Sequence, residues 1–262
     1  MTTKQTALIT GASTGIGAVY ADRLAGRGFN LVLVARNADK LNALAAELRS
    51  KHGVAVETIA ADLANPAQLA QIEGRLADDA NITTLVNNAG LGATAPLIDS
   101  TIDHLDAMID LNVKALTRLA RAVAPRLAAK GSGTIINIAS IVALAPELLN
   151  GVYGGSKAFV LALTQSLQHE LGSKGVRVQA VLPGAIETPF WDKAGVPVIH
   201  LPTGIVMQVD DLVDAALAGL DLGEVITIPS LPDAAEWESL NNARLAMGPK
   251  LSREVPADRY RR

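Results

Sequence analysis

Thr6-Ala-Leu-Ile-Thr10 runs directly into Gly11-Ala12-Ser13-Thr14-Gly15-Ile16-Gly17, and an amphipathic stretch then reaches about Arg27. A short apolar run reads as a buried strand, and the periodic stretch after the glycines reads as a helix. A strand that feeds a glycine-rich turn and a helix is an arrangement suited to phosphate. The glycines permit the tight turn and close backbone approach, and the helix N-terminus offers free N–H groups to a pyrophosphate. The spacing here is G-x-x-x-G-x-G, not the commoner G-x-G-x-x-G, so on its own the stretch also fits an ordinary strand-to-helix turn.

The next strand, Asn30-Leu-Val-Leu-Val-Ala35-Arg36, bears on that choice. A carboxylate that binds a ribose hydroxyl is expected about 20 residues past such glycines. This chain has Ala35 and Arg36 there instead. Without the carboxylate a 2′-phosphate is not repelled, and a guanidinium can hold it in bidentate fashion, which points to NADP. The alternative is a solvated arginine at a helix entrance.

Strands and helices keep alternating down the chain. Residues 38–51 carry Leu41, Leu44, Ala45 and Leu48 at helical spacing, with Gly53 as a stop. Val54–Ala60 is a third strand leading to Asp62-Leu63, and Asn65-Pro66 signals a further helix. Ile82–Val86, Thr134–Ala139, Val176–Leu182 and Glu224–Ile228 read as strands four to seven, and Asp210–Leu220 as a late helix. A long helix is expected over about Ile102 to Lys130, with Pro125 kinking or breaking it near its end. The fold class is therefore α/β, a single Rossmann-type doubly wound domain with about seven mostly parallel strands flanked by helices.

Composition agrees and narrows the function. Of 262 residues 49% are hydrophobic but only 3% aromatic, so the core is built from Ala, Val, Leu and Ile. A net charge of −3 gives no basic footprint for nucleic acid. With no cysteine there is no disulfide or thiolate site, and His52, His104, His169 and His200 lack ligand spacing, so no metal is expected. The short lead before the first strand and the lack of a long apolar run read as a soluble, cytoplasmic chain with no signal peptide or membrane contact.

Polar residues sit at the carboxyl ends of these strands, where α/β sheets bind ligands. Strand four runs into Asn87-Asn88-Ala89-Gly90, which fits either a backbone passing close to a ligand or an ordinary turn. Asn112 lies on an apolar helical stripe and must find partners, as an anchor or in a buried polar network. Strand five delivers Ser140. Tyr153 and Lys157 follow, and a helix beginning near Tyr153 would put them one turn apart on one face. A lysine beside a tyrosine favours the phenolate, so the pair is expected to lower the Tyr153 pKa and to serve proton transfer. Taken alone, Y-x-x-x-K also fits a helix start with a half-buried tyrosine. Residues 185–208 gather Pro189, Phe190, Trp191, Pro197 and Pro202 in a chain with few aromatics, and read as a substrate lid.

Together these motifs resemble the short-chain dehydrogenase/reductase family. The matching set is Thr10-Gly11-x-x-x-Gly15-x-Gly17, Asn87-Asn88-Ala89-Gly90, Asn112, Ser140, Tyr153-x-x-x-Lys157 and Pro183-Gly184 with Thr188, in family order over about residues 5–230. The resemblance implies hydride transfer between NADP(H) and a carbonyl or secondary alcohol. It makes Tyr153 the proton donor or acceptor, Lys157 its partner and the holder of the nicotinamide ribose, and Ser140 the group that meets the substrate oxygen. Asn112 would support a water that links Lys157 to solvent. It assigns Gly11, Ser13, Thr14, Gly15, Ile16, Gly17, Arg36, Asp62, Leu63, Asn88, Ala89, Gly90, Pro183, Gly184, Ile186 and Thr188 to the cofactor, and no metal. Arg36, helped by Ser13 or Thr14, matches the NADP-preferring branch.

The sequence departs from the family pattern at Ala139, at Gly154-Gly155 and at Ile228-Pro229-Ser230. Residues 1–230 are expected to form the catalytic domain, with the lid at 185–208. Residues 231–262 would be a C-terminal tail with a helix at 234–247 and a loose, charged end. Family habit implies a homotetramer or dimer through the helices at 102–130 and 153–171. An NAD-linked alcohol dehydrogenase and a non-catalytic dinucleotide sensor are the competing readings. The substrate is a small-molecule carbonyl or alcohol whose identity the sequence leaves open among acyl, steroid, terpenoid, sugar and simple ketone classes.

Overall fold

A computed structural model describes residues 5–261 apart from the side chains of Asp192 and Lys193; Met1–Lys4 and Arg262 lie outside it. The chain divides into one unit up to Pro229 and a second from Ser230. In the first unit the strands are β1 (Thr6–Thr10), β2 (Asn30–Ala35), β3 (Val56–Ala60), β4 (Ile82–Asn87), β5 (Gly133–Ile138), β6 (Val176–Val181), β7 (Ala185–Ile186), β8 (Val206–Met207) and β9 (Ile226–Thr227). The helices are α1 (Gly15–Gly26), α2 (Ala38–His52), α3 (Pro66–Asp78), α4 (Ile102–Ile109), α5 (Leu116–Lys130), α6 (Gly151–Leu171), α7 (Phe190–Ala194) and α8 (Val209–Leu222).

Seven strands form one parallel sheet in the order β3-β2-β1-β4-β5-β6-β9. The inner strands are mostly apolar because both faces of the sheet are covered, while edge strand β3 leaves Glu57 and Ala60 exposed. Ala7 and Ile9 of β1, Leu31 and Leu33 of β2, and Ile136 and Ile138 of β5 enter one core with Leu24, Leu41 and Leu217 from α1, α2 and α8. Their alternates Leu8, Val32, Val34 and Ile135 enter the other core with Ile72, Leu119 and Val123 from α3 and α5. The chain runs outward from β1 to β3, then returns to lay β4 against β1. That reversal opens a crevice at the carboxyl ends of β1 and β4, where ligands bind in such sheets.

Three boundaries differ from the sequence expectation. The seventh main-sheet strand is only Ile226–Thr227. The helix carrying Tyr153 begins at Gly151, because Asn150 caps it: its Oδ1 accepts from Val152 N (2.9 Å) and Tyr153 N (3.3 Å). The 102–130 segment does not break at Pro125, which lies inside α5. It changes pitch earlier, through a π-helical stretch at Asp110–Ala115 that contains Asn112. The 185–208 excursion leaves the body through β7 and returns through β8, which pair in parallel.

The second unit holds α9 (Ala234–Met247), with Asp233 accepting from Ala235 N (2.9 Å) and no buried residue in the helix. The segment expected to be loose contains two single-turn 3₁₀ helices, Gly248–Lys250 and Asp258–Tyr260. Among the described residues no helix is long and apolar enough to cross a membrane.

Candidate active site

Two loops meet at the crevice, and their side chains explain why they hold their shape. Thr10 Oγ1 accepts from Asn88 N and Ala89 N (both 3.0 Å), and Asn88 Nδ2 donates to Thr10 O (2.9 Å) and Gly11 O (3.2 Å). Asn88 thus ties β4 to the glycine loop. The close approach requires glycine: a Cβ on Gly17 would stand 2.5 Å from Gly11 O and 2.6 Å from Asn88 Nδ2. Gly11 and Gly15 have φ of +65° and +57°, a region that L side chains avoid.

The N-terminus of α1 is left open. Thr14 occupies the N-cap without making a side-chain cap bond, and no acidic residue stands in the first turn. By contrast Asn37, Asn65, Thr101 and Asn150 all cap their helices with side chains. Free N–H groups and the positive end of the helix dipole therefore face outward for an anion. Arg36 stands at the end of β2, exposed and without a hydrogen bond or ion pair among the described residues.

A cavity of about 940 Å³ runs from this open helix end to the 185–208 segment. Its lining includes Gly11, Ser13, Thr14, Gly15, Ile16, Arg36, Asp62, Leu63, Asn88, Ala89 and Gly90, then Ser140, Tyr153 and Lys157, then Pro183, Gly184, Ile186 and Thr188. Two of the residues singled out from sequence stand behind it. Gly17 is the packing point beneath the loop. Asn112 is buried behind Gly90, where a Cβ would meet Asn112 Oδ1 at 3.2 Å and Lys157 Nζ at 3.6 Å.

Asn112 finds its partners locally. Its Oδ1 accepts from Leu91 N and its Nδ2 donates to Leu91 O, both at 2.8 Å, while Nδ2 also donates to Ser156 Oγ at 3.0 Å. It therefore fixes the loop that follows β4 to the helix that carries Tyr153. Ser140 Oγ hydrogen-bonds the Tyr153 hydroxyl and accepts from Val142 N at 3.4 Å.

The electrostatics of the pair correct the sequence expectation. Burial pushes the Tyr153 phenol up to about 12, with the Ser140 hydrogen bond opposing it. Burial also brings the Lys157 ammonium down to about 8. Its Nζ donates to Ile138 O at 2.9 Å and lies 5.8 Å from the centroid of the Tyr153 ring. Desolvation outweighs the lysine's attraction for a phenolate here.

The structure adds residues that sequence reasoning passed over. Asn37 and Lys40 line the cavity beside Arg36, and Leu91, Val142 and Leu149 join Phe190, Trp191, Leu201 and Ile205 of the segment already singled out to make its other end apolar. Asn37 caps α2 by accepting from Lys40 N at 2.9 Å, and an Asn-x-x-Lys step after a strand carries no ligand signal of its own. Gly154 is explained as well, since a Cβ there would meet Pro146 at 3.1 Å. Gly155 faces open space, and nothing in the structure explains it.

A parallel sheet with a glycine loop at its reversal point, an open helix N-terminus and a buried Ser-Tyr-Lys set defines a Rossmann-type nucleotide-dependent oxidoreductase. Residues 5–196 match the family model for short chain dehydrogenase. The chain belongs to the short-chain dehydrogenase/reductase family, which transfers hydride between a nicotinamide cofactor and a carbonyl or alcohol carbon. It is 52% identical to a short-chain dehydrogenase from Sphingobium yanoikuyae in complex with NADPH, over 98% of this chain and 100% of that one, with a TM-score of 0.95. It is 46% identical to the bulky-bulky ketone specific alcohol dehydrogenase from Comamonas testosteroni, over 100% of both chains, with a TM-score of 0.91. A very-long-chain 3-oxoacyl-CoA reductase of Danio rerio is 36% identical over 201 residues, 75% of this chain but 64% of that protein.

Proposed function

We propose that the protein is an NADPH-dependent reductase of ketones that carry bulky apolar groups on both sides of the carbonyl. The carrying observation is one continuous cavity with the unpaired Arg36 guanidinium at one end and Tyr153 under an apolar wall at the other. The NADPH bound to the Sphingobium relative and the substrate class named for the Comamonas relative support the same reading.

The residues fit such a cofactor. Arg36, with Lys40 near it, would take the 2′-phosphate, and the open N-terminus of α1 with Ser13 and Thr14 would take the pyrophosphate. Asp62 and Leu63 would border the adenine, and Lys157 would hold the nicotinamide ribose. Asn88 to Gly90, Pro183, Gly184, Ile186 and Thr188 would frame the ring end. When bound, the nicotinamide supplies the hydride.

On the substrate side Ser140 Oγ orients the carbonyl oxygen and Tyr153 gives it a proton. A phenol held near 12 is protonated at neutral pH, so its resting form is the acid that reduction requires. Lys157 lies between Tyr153 and the Gly90–Asn112 junction, which makes it the route by which the phenol regains its proton. Exposed Ile102 and Ile109 on α4 and Phe159 on α6 support a homo-oligomer through these helices, which a light-scattering mass tests.

The deciding experiment is titration of NADPH and NADH against wild type and Arg36→Ala. A charge-assisted contact is worth ~1.5–3 kcal/mol, so Arg36→Ala should weaken NADPH roughly 10- to 100-fold and leave NADH nearly unchanged. Equal losses for both cofactors would remove the NADP assignment.

A further inference from the structure

Phe190 forms part of the cavity wall, and its ring lies 5.9 Å, centroid to centroid, from that of Tyr153. What seats the ring stands behind it. A Cβ built on Gly92 would fall 2.1 Å from Phe190 Cζ and 2.7 Å from Cε2, so the ring edge fills the space a side chain at 92 would take. Gly92 does not itself line the cavity, which places the ring between the two.

The backbone on both sides of this contact is tied. His104 Nε2 donates to Gly92 O at 3.2 Å. Thr94 N and Oγ1 both donate to Ala194 O, at 3.2 and 2.7 Å, joining the loop after β4 to α7. Trp191 stacks edge-on to Phe190 at 5.7 Å and 89°, with its Nε1 donating to Ile186 O at 2.9 Å. With both backbones anchored, the group free to yield is the ring, and its open side is the cavity.

We propose that Gly92 sets the breadth of the substrate end by seating the Phe190 ring, which makes the pair a specificity determinant for the groups flanking the reacting carbonyl. The inference deepens the ketone-reductase reading above and rests on it. A methyl group at 92 drives the ring into the cavity over Tyr153, and the largest substituents are excluded first.

The test measures kcat/KM for a ketone with an aryl and a long alkyl group, and for a small methyl ketone, in wild type, Gly92→Ala, Phe190→Ala and the double variant. Gly92→Ala should lower the bulky-to-small ratio roughly 10- to 100-fold, the scale on which pocket contacts discriminate. In the Phe190→Ala background the same change should have no effect on the ratio, because the two residues act through one contact. An unchanged ratio, or an equal effect without the ring, overturns the proposal. Phe190→Leu guards against a Gly92→Ala protein that does not fold: it thins the wall and should raise the ratio, and an unchanged or lowered ratio counts against the proposal.

A readout independent of turnover is Trp191 emission, made specific by Trp237→Phe in a chain with two tryptophans. Gly92→Ala should shift that emission only while Phe190 is present, and an unmoved spectrum overturns the seat. If wild type reduces neither ketone, the function reading fails on its own while the emission still decides whether Gly92 positions Phe190.

Discussion

Replacing Lys157 with methionine separates what this side chain does for catalysis from what its burial costs the fold. The ammonium is buried, and its pKa falls from 10.5 to about 8. At ~1.4 kcal/mol per decade, that displacement amounts to roughly 3 kcal/mol by which the folded state disfavours the charged form. The sign follows from proton counting. Below pH 8 both folded and unfolded lysine are charged, and the fold carries the full penalty. Between about 8 and 10.5 the unfolded chain binds more protons than the folded one, so stability rises with pH and the penalty fades. Tyr153 works the other way but only higher, because its raised pKa costs stability as pH climbs from 10 towards about 12. Methionine removes the titration and leaves Ile138 O without its 2.9 Å donor, a cost of ~1–3 kcal/mol that does not depend on pH. Urea denaturation of both proteins from pH 7 to 10 should therefore show wild type gaining about 2.5 kcal/mol on Lys157→Met across that interval, most of the full displacement. A stability difference that stays flat within about 1 kcal/mol would refute the reasoning, and would mean that the buried amine is solvated or paired in a way the geometry does not reveal.

Two further outcomes are expected. Asn112→Leu fills the same volume but strands Leu91 N and O and takes a donor from Ser156 Oγ, so it should destabilise the protein by about 2–4 kcal/mol in chemical denaturation; a loss under ~1 kcal/mol would deny Asn112 its anchoring role. Tyr153→Phe removes only the hydroxyl that Ser140 touches, so turnover should fall ~10²- to 10⁴-fold in single-turnover reduction while cofactor affinity holds within about three-fold.

The architecture was legible because its signals are local and repeated. Each buried strand is an apolar run and each helix has its own period, so the alternation from Thr6 to Leu222 gave the doubly wound sheet. Asn37, Asn65 and Thr101 stand where sequence rules put helix caps, and Asn150 does too, although the sequence reading set the start of α6 nearer Tyr153. Other features depend on distant partners and left no local mark. Pro125 reads as a breaker, yet the irregularity lies at the π-helical turn that presents Asn112 to Leu91, a contact across 21 residues. The electrostatics of Tyr153 and Lys157 could not be had from spacing, because one turn of separation sets who is near and burial decides which form is favoured. Gly92 carries no local signal, because what fills the space of its missing side chain is Phe190, far along the chain.

The pairing of Ala185–Ile186 with Val206–Met207 has a consequence for how this scaffold diversifies. Both ends of the intervening segment are held at neighbouring rungs, so the span between them is a closed loop with a fixed gate. Lengthening such a loop costs little, about 0.6 kcal/mol per doubling, because closure entropy grows only logarithmically. The segment from 187 to 205 is thus an exchangeable cassette. A foreign stretch spliced between Ile186 and Val206 would inherit both anchors without disturbing the sheet, but would have to restore the contacts of Thr188 with Gly15 and of Ala194 with Thr94.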